Sequence, residues 1–102
     1  MQQVKLLSAD ENLNFALSGE IDSSASENFY AEVQAAYMHD PKNIVFDCKG
    51  LTFIDSTTLG TFVKIVKQLK SVGHQVTLTR VQPRIIKLFE ICSLDKLMRI
   101  ER

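Results

Sequence analysis

Hydrophobic positions along the chain alternate between the two-residue period of strands and the wider spacing of helices. Leu13, Phe15 and Leu17 alternate with polar or small residues, which is typical of a half-buried strand. Residues 4–7 form a weaker segment of the same kind and precede that strand across a polar turn. The two segments favour an antiparallel hairpin at one edge of a sheet. Residues 19–22 predict the end of the second strand.

The next segment predicts a helix followed by a buried strand. Ser24 and Glu27 have the S-x-x-E spacing of a capping box, which indicates a helix start. The apolar stripe of this helix consists of Phe29, Val33, Ala36 and Tyr37. Asp40 ends the helix, because a residue before proline resists the α region. Residues 43–48 contain three consecutive apolar residues, which favours a strand buried on both faces of a parallel sheet.

The second half repeats this alternation. Residues 59–69 carry the strongest helical pattern, and Gly73 ends that helix from a C′ position. The apolar positions of this helix are Leu59, Phe62, Val63, Val66 and Leu69. Residues 76–79 predict a strand, Pro83 opens a third helix, and a last short strand lies near residues 97–100. The third helix is expected to bury Ile85, Leu88, Phe89 and Cys92.

The resulting order, ββαβαβαβ, predicts an α/β fold with a mostly parallel sheet and an antiparallel edge hairpin. The length of 102 residues fits a single domain over 1–102, and hydrophobic residues make up 45% of it. Twelve basic and twelve acidic residues cancel, which argues against direct nucleic-acid binding. No apolar run reaches the roughly 20 residues of a bilayer span, so no membrane insertion is expected.

The cysteines and the N-terminus predict a reducing compartment. Cys48 and Cys92 lie far apart and form no C-x-x-C pair, so both are interpreted as reduced core thiols. Residues 1–5 do not have the features of a signal peptide. The expected location is therefore the cytoplasm.

The segment with the clearest chemistry lies where the central strand meets the strongest helix. Ligand and partner sites in such folds favour the carboxyl ends of strands, and residues 19–22 and 54–56 occupy two of these ends. Asp55 or Ser56 is placed to cap the following helix, whose first N–H groups lack intrahelical partners. An exposed hydroxyl here suits a kinase. The plainer interpretation is a well-capped helix start and nothing more.

Six segments in the same order resemble one known family. They are residues 19–22 (GEID), 44–47 (IVFD), 51–60 (LTFIDSTTLG), 81–83 (VQP), 88–91 (LFEI) and 94–97 (LDKL). This pattern resembles the STAS domain family, above all the bacterial anti-sigma factor antagonists. The sequence departs from the family pattern at Thr58 and Ser93, where glycine is usual. Thr58 is expected to make the surface bulkier there.

The resemblance implies a phosphorylation switch. In that family the dephosphorylated antagonist binds an anti-sigma factor that is also a GHKL-type serine kinase, and so frees the sigma factor. The kinase phosphorylates the antagonist and breaks the complex, and a PP2C-type phosphatase reverses this. The resemblance assigns phosphorylation to Ser56. It places partner binding at Asp22, Asp55, Ser56, Thr57 and Thr58.

One alternative function remains open from the sequence, whereas enzyme, metal and cofactor functions are not predicted. A STAS-like domain without phosphorylation can serve as an accessory subunit of a lipid-transport ABC system or of a signalling scaffold. A hydrolase would need a base beside Ser56, and neither His39 nor His74 is expected there, so no enzyme activity is predicted. No metal ligands have close spacing, and no phosphate loop is present, so no cofactor is predicted. A row of lysines is interpreted as a solvated face, with partner docking as the alternative: Lys64, Lys67 and Lys70.

Overall fold

Strands and helices alternate along the chain in the predicted order. The structure is a computed structural model that describes residues 3–102. Its strands are β1 (Val4–Ala9), β2 (Leu13–Ile21), β3 (Ile44–Ile54), β4 (Val76–Thr79) and β5 (Arg99–Ile100). Its helices are α1 (Ser23–His39), α2 (Ser56–Lys70) and α3 (Pro83–Ile91), and a 3-10 turn at Leu94–Lys96 precedes β5. The ββαβαβαβ order is confirmed.

The five strands lie side by side in the order in which they occur in the sequence. β1 pairs with β2 in antiparallel fashion, while the pairs β2–β3, β3–β4 and β4–β5 are parallel. The α/β class, the mostly parallel sheet and the edge hairpin are therefore confirmed.

One aromatic cluster shows where the core lies. Phe46 of β3 contacts Phe15 of β2, Phe29 of α1 and Phe62 of α2, with ring centroids 5.6 Å apart in each pair. Phe62 in turn contacts Phe89 of α3 at 5.4 Å. All three helices thus reach the same face of the sheet, and the large rings fill the space between the two layers.

The position of the helices corrects the prediction for β3. Burial alternates along residues 44–48, so this part of β3 is fully buried on one face and half-buried on the other, rather than buried on both. The reason is topological: when each strand pairs with its neighbour in sequence, the crossover helices gather on one face.

β2 and β3 also extend further than predicted. β2 continues to Ile21 through an irregularity at Gly19, whose positive φ of +68° suits glycine. β3 continues to Ile54 through Gly50, which pairs with Ser18 of β2. A Cβ at Gly50 would lie only 3.1 Å from the Cβ of Ser18, so glycine suits this close approach of the two strands. The two longest strands therefore end together, beside the starts of α1 and α2.

Two details of the helices differ from the sequence prediction. α1 begins at Ser23 and is capped by Asp22, so the proposed capping box at Ser24 does not form the cap. α3 ends at Ile91, which leaves Cys92 at the C-cap and exposed, so the prediction that it is a core thiol is wrong. Leu88 of α3 is only partly buried.

Cys48 does lie in the core. Its side chain is fully buried, and burial together with the nearby charge of Asp47 raises the pKa of its thiol to about 12. Cys48 therefore remains a protonated, unreactive thiol at neutral pH.

Candidate functional site

β2 and β3 pair side by side and end at the same level, and the candidate site lies at these two carboxyl ends. Ile21 and Ile54 are direct partners in the parallel register and are the last residues of their strands. The next residue in each chain segment is an aspartate, Asp22 or Asp55, and each begins a helix. The pairing of two strands thus brings both acids of the predicted site, together with Ser56, to one edge of the sheet.

Asp22 caps α1. Its Oδ1 accepts hydrogen bonds from the Ser24 N–H at 3.0 Å, from the Ser24 hydroxyl at 2.6 Å and from the Ala25 N–H at 3.3 Å. The hydroxyl of Ser24 contributes most to holding the pKa of Asp22 below its usual value, while partial burial and the charge of Asp55 oppose this shift. Asp22 is therefore ionised at neutral pH.

Asp55 caps α2 and also contacts α1. Its Oδ1 accepts from the Thr58 N–H at 3.0 Å, and its Oδ2 accepts from the Ser23 N–H at 2.7 Å. The hydrogen bond from the Thr58 N–H is the main reason that the pKa of Asp55 lies below its usual value, so this side chain is also ionised. A single carboxylate thus satisfies an N–H group at each of two helix starts.

Three consecutive hydroxyl residues follow Asp55, and their environments differ. The side chains of Ser56 and Thr57 are exposed at the first turn of α2. Thr58 is 0% exposed, and its hydroxyl donates to the backbone carbonyl of Ile21 at 2.5 Å. The expectation that Thr58 makes the surface bulkier is therefore wrong, and its side chain offers no surface for direct partner contact.

Three open depressions surround this edge. The largest, about 470 Å³, lies between the end of β3 and α3 and is lined by Glu20, Thr52, Phe53, Ile54, Arg84, Ile85 and Leu88. A second, about 460 Å³, lies beside Asp22, and a third, about 300 Å³, lies between the starts of α1 and α2 beside Thr57. The site is thus an open surface with depressions rather than a closed pocket.

Phe53 and Arg84 are surface features of this edge that the sequence did not reveal. Phe53 is 45% exposed, and an Nη atom of Arg84 donates to the carbonyl of Thr52 at 3.3 Å. An apolar residue in a strand is usually assigned to the core, so the pattern gave no sign that Phe53 is exposed. Phe53 lies beyond the strand predicted over residues 43–48, and its alternation with the buried Ile54 follows only from the extension of β3 to Ile54, since neighbours in a strand face opposite sides.

The model for the STAS domain matches residues 3–102. This chain belongs to the STAS domain family. A similar curated protein is the anti-sigma F factor antagonist of Lysinibacillus sphaericus, which is 28% identical over 86% of this chain and 76% of its own length.

Two solved structures share the fold of this STAS domain. A protein from Thermotoga maritima gives a TM-score of 0.85 at 20% identity, covering 97% of this chain and 84% of the other. The Bacillus cell fate determinant SpoIIAA in the phosphorylated form gives a TM-score of 0.75 at 24% identity, covering 95% of this chain and 89% of the other.

The histidines of this STAS domain lie at the far end of α1 from the candidate site. His39 is the last residue of α1, about 24 Å along the helix axis from Ser23. The Nδ1 atom of His74 lies 2.7 Å from the hydroxyl of Tyr37, near that same end. Neither imidazole is placed to activate Ser56 as a nucleophile.

Within residues 3–102, no group of three His, Cys, Asp or Glu side chains is arranged to hold a metal ion. No helix in that part is long and apolar enough to cross a membrane. The lysine side chains of this row are exposed, and the Nζ atom of Lys64 also lies 5.1 Å from the centre of the Tyr30 ring.

Proposed function

We propose that this STAS domain, over residues 1–102, is an anti-sigma factor antagonist that is switched by phosphorylation of Ser56. The dephosphorylated form binds an anti-sigma factor and so frees the sigma factor, and the phosphorylated form does not bind. The observation that carries the proposal is an exposed hydroxyl at the start of α2, on an edge fixed by two ionised aspartates. The similarity of this chain to an anti-sigma F factor antagonist supports the proposal.

The charges around Ser56 favour a switch in which phosphorylation breaks the complex with the partner and leaves the domain folded. A phosphate on Ser56 would add about 1.5 to 2 negative charges at neutral pH. The start of α2 favours a negative charge, whereas the ionised Asp22 and Asp55 oppose it, so the two effects on the fold largely offset each other. In a dry interface the same charge would be costly unless the partner could pair it. Phosphorylation is therefore expected to break the complex and leave the domain folded.

The proposal names its partners by class. The anti-sigma factor is a GHKL-type serine kinase, a PP2C-type phosphatase resets the switch, and all three act in the cytoplasm with the sigma factor. Asp22, Asp55, Ser56 and Thr57 form the contact surface, while Thr58 acts from beneath it. The domain itself is a binding protein and not an enzyme.

The direct test is a kinase and binding assay. The protein is incubated with ATP and a GHKL-type serine kinase from the same organism, and any phosphate is located by mass spectrometry. We expect phosphate on Ser56 in the parent protein and none in Ser56→Ala. In gel filtration Ser56→Ala should keep the complex and Ser56→Asp should lose it. Thr57→Ala is the matched control, because Thr57 is the adjacent exposed hydroxyl, and it should still be phosphorylated.

Two outcomes would count against the proposal. If no phosphate forms on Ser56 or Thr57 and no complex forms, the switch is excluded. If the protein instead copurifies with transporter subunits, the accessory-subunit alternative is favoured.

A further inference from the structure

We propose that Thr58 is a positioning residue of the switch, whose buried hydroxyl fixes the first turn of α2, and with it Ser56, against the end of β2 and the start of α1. This inference rests on the proposed function of Ser56. It assigns a role to the residue that stands where the family pattern has glycine.

The contact between α2 and β2 is direct. The Thr58 side chain is fully buried, and its hydroxyl donates to the carbonyl of Ile21, the last residue of β2 and 37 positions earlier in the chain. The same oxygen lies 3.0 Å from Oδ1 of Asp55. A residue in the first turn of α2 is therefore tied both to its own helix cap and to a neighbouring strand.

A second contact completes a closed set of four residues. Asp55 accepts from the Thr58 N–H through Oδ1 and from the Ser23 N–H through Oδ2. Ser23 is separated from Ile21 only by Asp22. We call Ile21, Ser23, Asp55 and Thr58 the helix-start clamp. Because it joins one strand end to two helix starts, it fixes Asp22 relative to Ser56.

Only a hydroxyl residue at position 58 can complete this clamp. Glycine has no side chain to donate to the carbonyl of Ile21. Valine matches the shape of threonine but leaves this buried carbonyl and Asp55 without the hydroxyl. Serine keeps the hydroxyl and loses only a methyl group. The comparison of Thr58→Val with Thr58→Ser therefore separates the hydrogen bond from the packing.

The clamp predicts that Thr58 affects the phosphorylation of Ser56, although the side chain of Thr58 does not touch the kinase. Loosening the first turn of α2 lets Ser56 and Asp22 move relative to each other, and small misplacements at a reacting centre reduce rates strongly. We expect Thr58→Val to lower kcat/KM for phosphorylation of Ser56 about tenfold to a hundredfold. Thr58→Ser should stay within about twofold of the parent.

The experiment combines phosphorylation kinetics with amide hydrogen exchange of the isolated domain. The Ser23 N–H reports on the clamp without any kinase, because its hydrogen-bond acceptor is Asp55. We expect faster exchange of this amide in Thr58→Val and unchanged exchange in Thr58→Ser. Thr61→Val is the matched control, since it removes the hydroxyl of another buried threonine of α2, one that donates within its own helix to the carbonyl of Thr57 at 3.2 Å. Thr58→Gly provides a second variant without the hydroxyl if Thr58→Val does not fold, and the same losses are expected for it.

The two proposals fail in different ways. If the parent protein is not phosphorylated, the proposed function fails, and the clamp is judged from Ser23 exchange alone. Unchanged Ser23 exchange in both variants that lack the hydroxyl would overturn the clamp. Normal phosphorylation of those variants, or a Thr58→Ser variant as impaired as Thr58→Val, would overturn the positioning role.

Discussion

The starts of α2 and α3 occupy equivalent places in the fold but are built differently. Each helix follows the carboxyl end of a parallel strand, β3 for α2 and β4 for α3. α2 has Asp55 as its cap and the buried Thr58 in its first turn. α3 begins at Pro83, and within residues 3–102 the side chain of Gln82 makes no capping hydrogen bond.

This difference indicates what the chain needs at each position. Proline at the first helical position has its φ fixed near the helical value and lacks an N–H that would need a partner, so it is sufficient to begin a helix. The Asp55 and Thr58 contacts at α2 exceed that requirement, because they also reach β2 and α1. The additional contacts are found at the helix start that carries the proposed phosphorylation site.

Among the variants that test this difference between the two helix starts, Asp55→Ala should lower the stability most. The Ser23 N–H and the Thr58 N–H both lose their acceptor, and the buried Thr58 hydroxyl loses a neighbour. We expect the Tm of Asp55→Ala to fall by roughly 5–10 °C, from the cost of a lost cap in a domain of this size. Differential scanning calorimetry measures it. Gln82→Ala is the control and should change Tm by no more than about 2 °C, since no side-chain cap is lost. Equal falls in Tm for Asp55→Ala and Gln82→Ala would contradict the conclusion that the two helix starts are built differently.

The contrast between the two helix starts also shows how far the sequence could be interpreted. The period of α2 and the polar residues before it predicted the helix and placed Asp55 or Ser56 at its cap, because both signals are local. The burial of Thr58 was not predictable in this way. A threonine in a first helical turn has the pattern of a surface residue, and its partner Ile21 lies 37 positions away.

The errors elsewhere have similar physical causes. Cys92 continues the helical spacing of α3, but the helix ends at Ile91, and a periodic pattern does not show where a helix stops. β3 was predicted over residues 43–48 from three consecutive apolar residues, a local signal that does not show how far the strand continues. The strand continues because it pairs with β2, and that pairing is a long-range property.

Asp22→Ala should have a smaller effect than Asp55→Ala. Within residues 3–102, the hydrogen bonds to the side chain of Asp22 come from Ser24 and Ala25 of its own helix, whereas Asp55 links two helices. We expect Tm to fall by roughly 3–6 °C, measured by the same calorimetry. A loss as large as that of Asp55→Ala would mean that the bridge from Asp55 to α1 contributes little to stability.

Acid should remove the electrostatic part of both caps. The pKa values of Asp22 and Asp55 are lowered in the folded state, so their charges stabilise the fold above the unfolded pKa of about 3.9. That contribution is lost as the pH falls through the folded values. We therefore expect the Tm difference between the parent and an Asp22→Asn, Asp55→Asn double variant to be constant above about pH 5 and to shrink below about pH 4.

The double variant also controls for other acids in this titration. Asp47, whose pKa is lowered mainly by its hydrogen bond with Arg80, titrates in both proteins and cancels in the difference. A Tm difference that persists undiminished at pH 2 would show that the charge of the two caps does not stabilise the fold.

Giving α3 the cap that it lacks should produce the smallest change, and one of opposite sign. Gln82 has an extended backbone, with φ −63° and ψ 142°, which is suitable for an N-cap residue. In Gln82→Asp the new carboxylate can accept from the N–H of Arg84 or of Ile85 in the first turn, the latter already bonded to the carbonyl of Gln82 at 2.9 Å. We expect a gain of about 0.5–1 kcal/mol, measured by urea unfolding, with Gln82→Ala near zero. If Gln82→Asp gains nothing, Pro83 already satisfies this helix start, and the contrast between α2 and α3 concerns the contacts to β2 and α1 rather than capping.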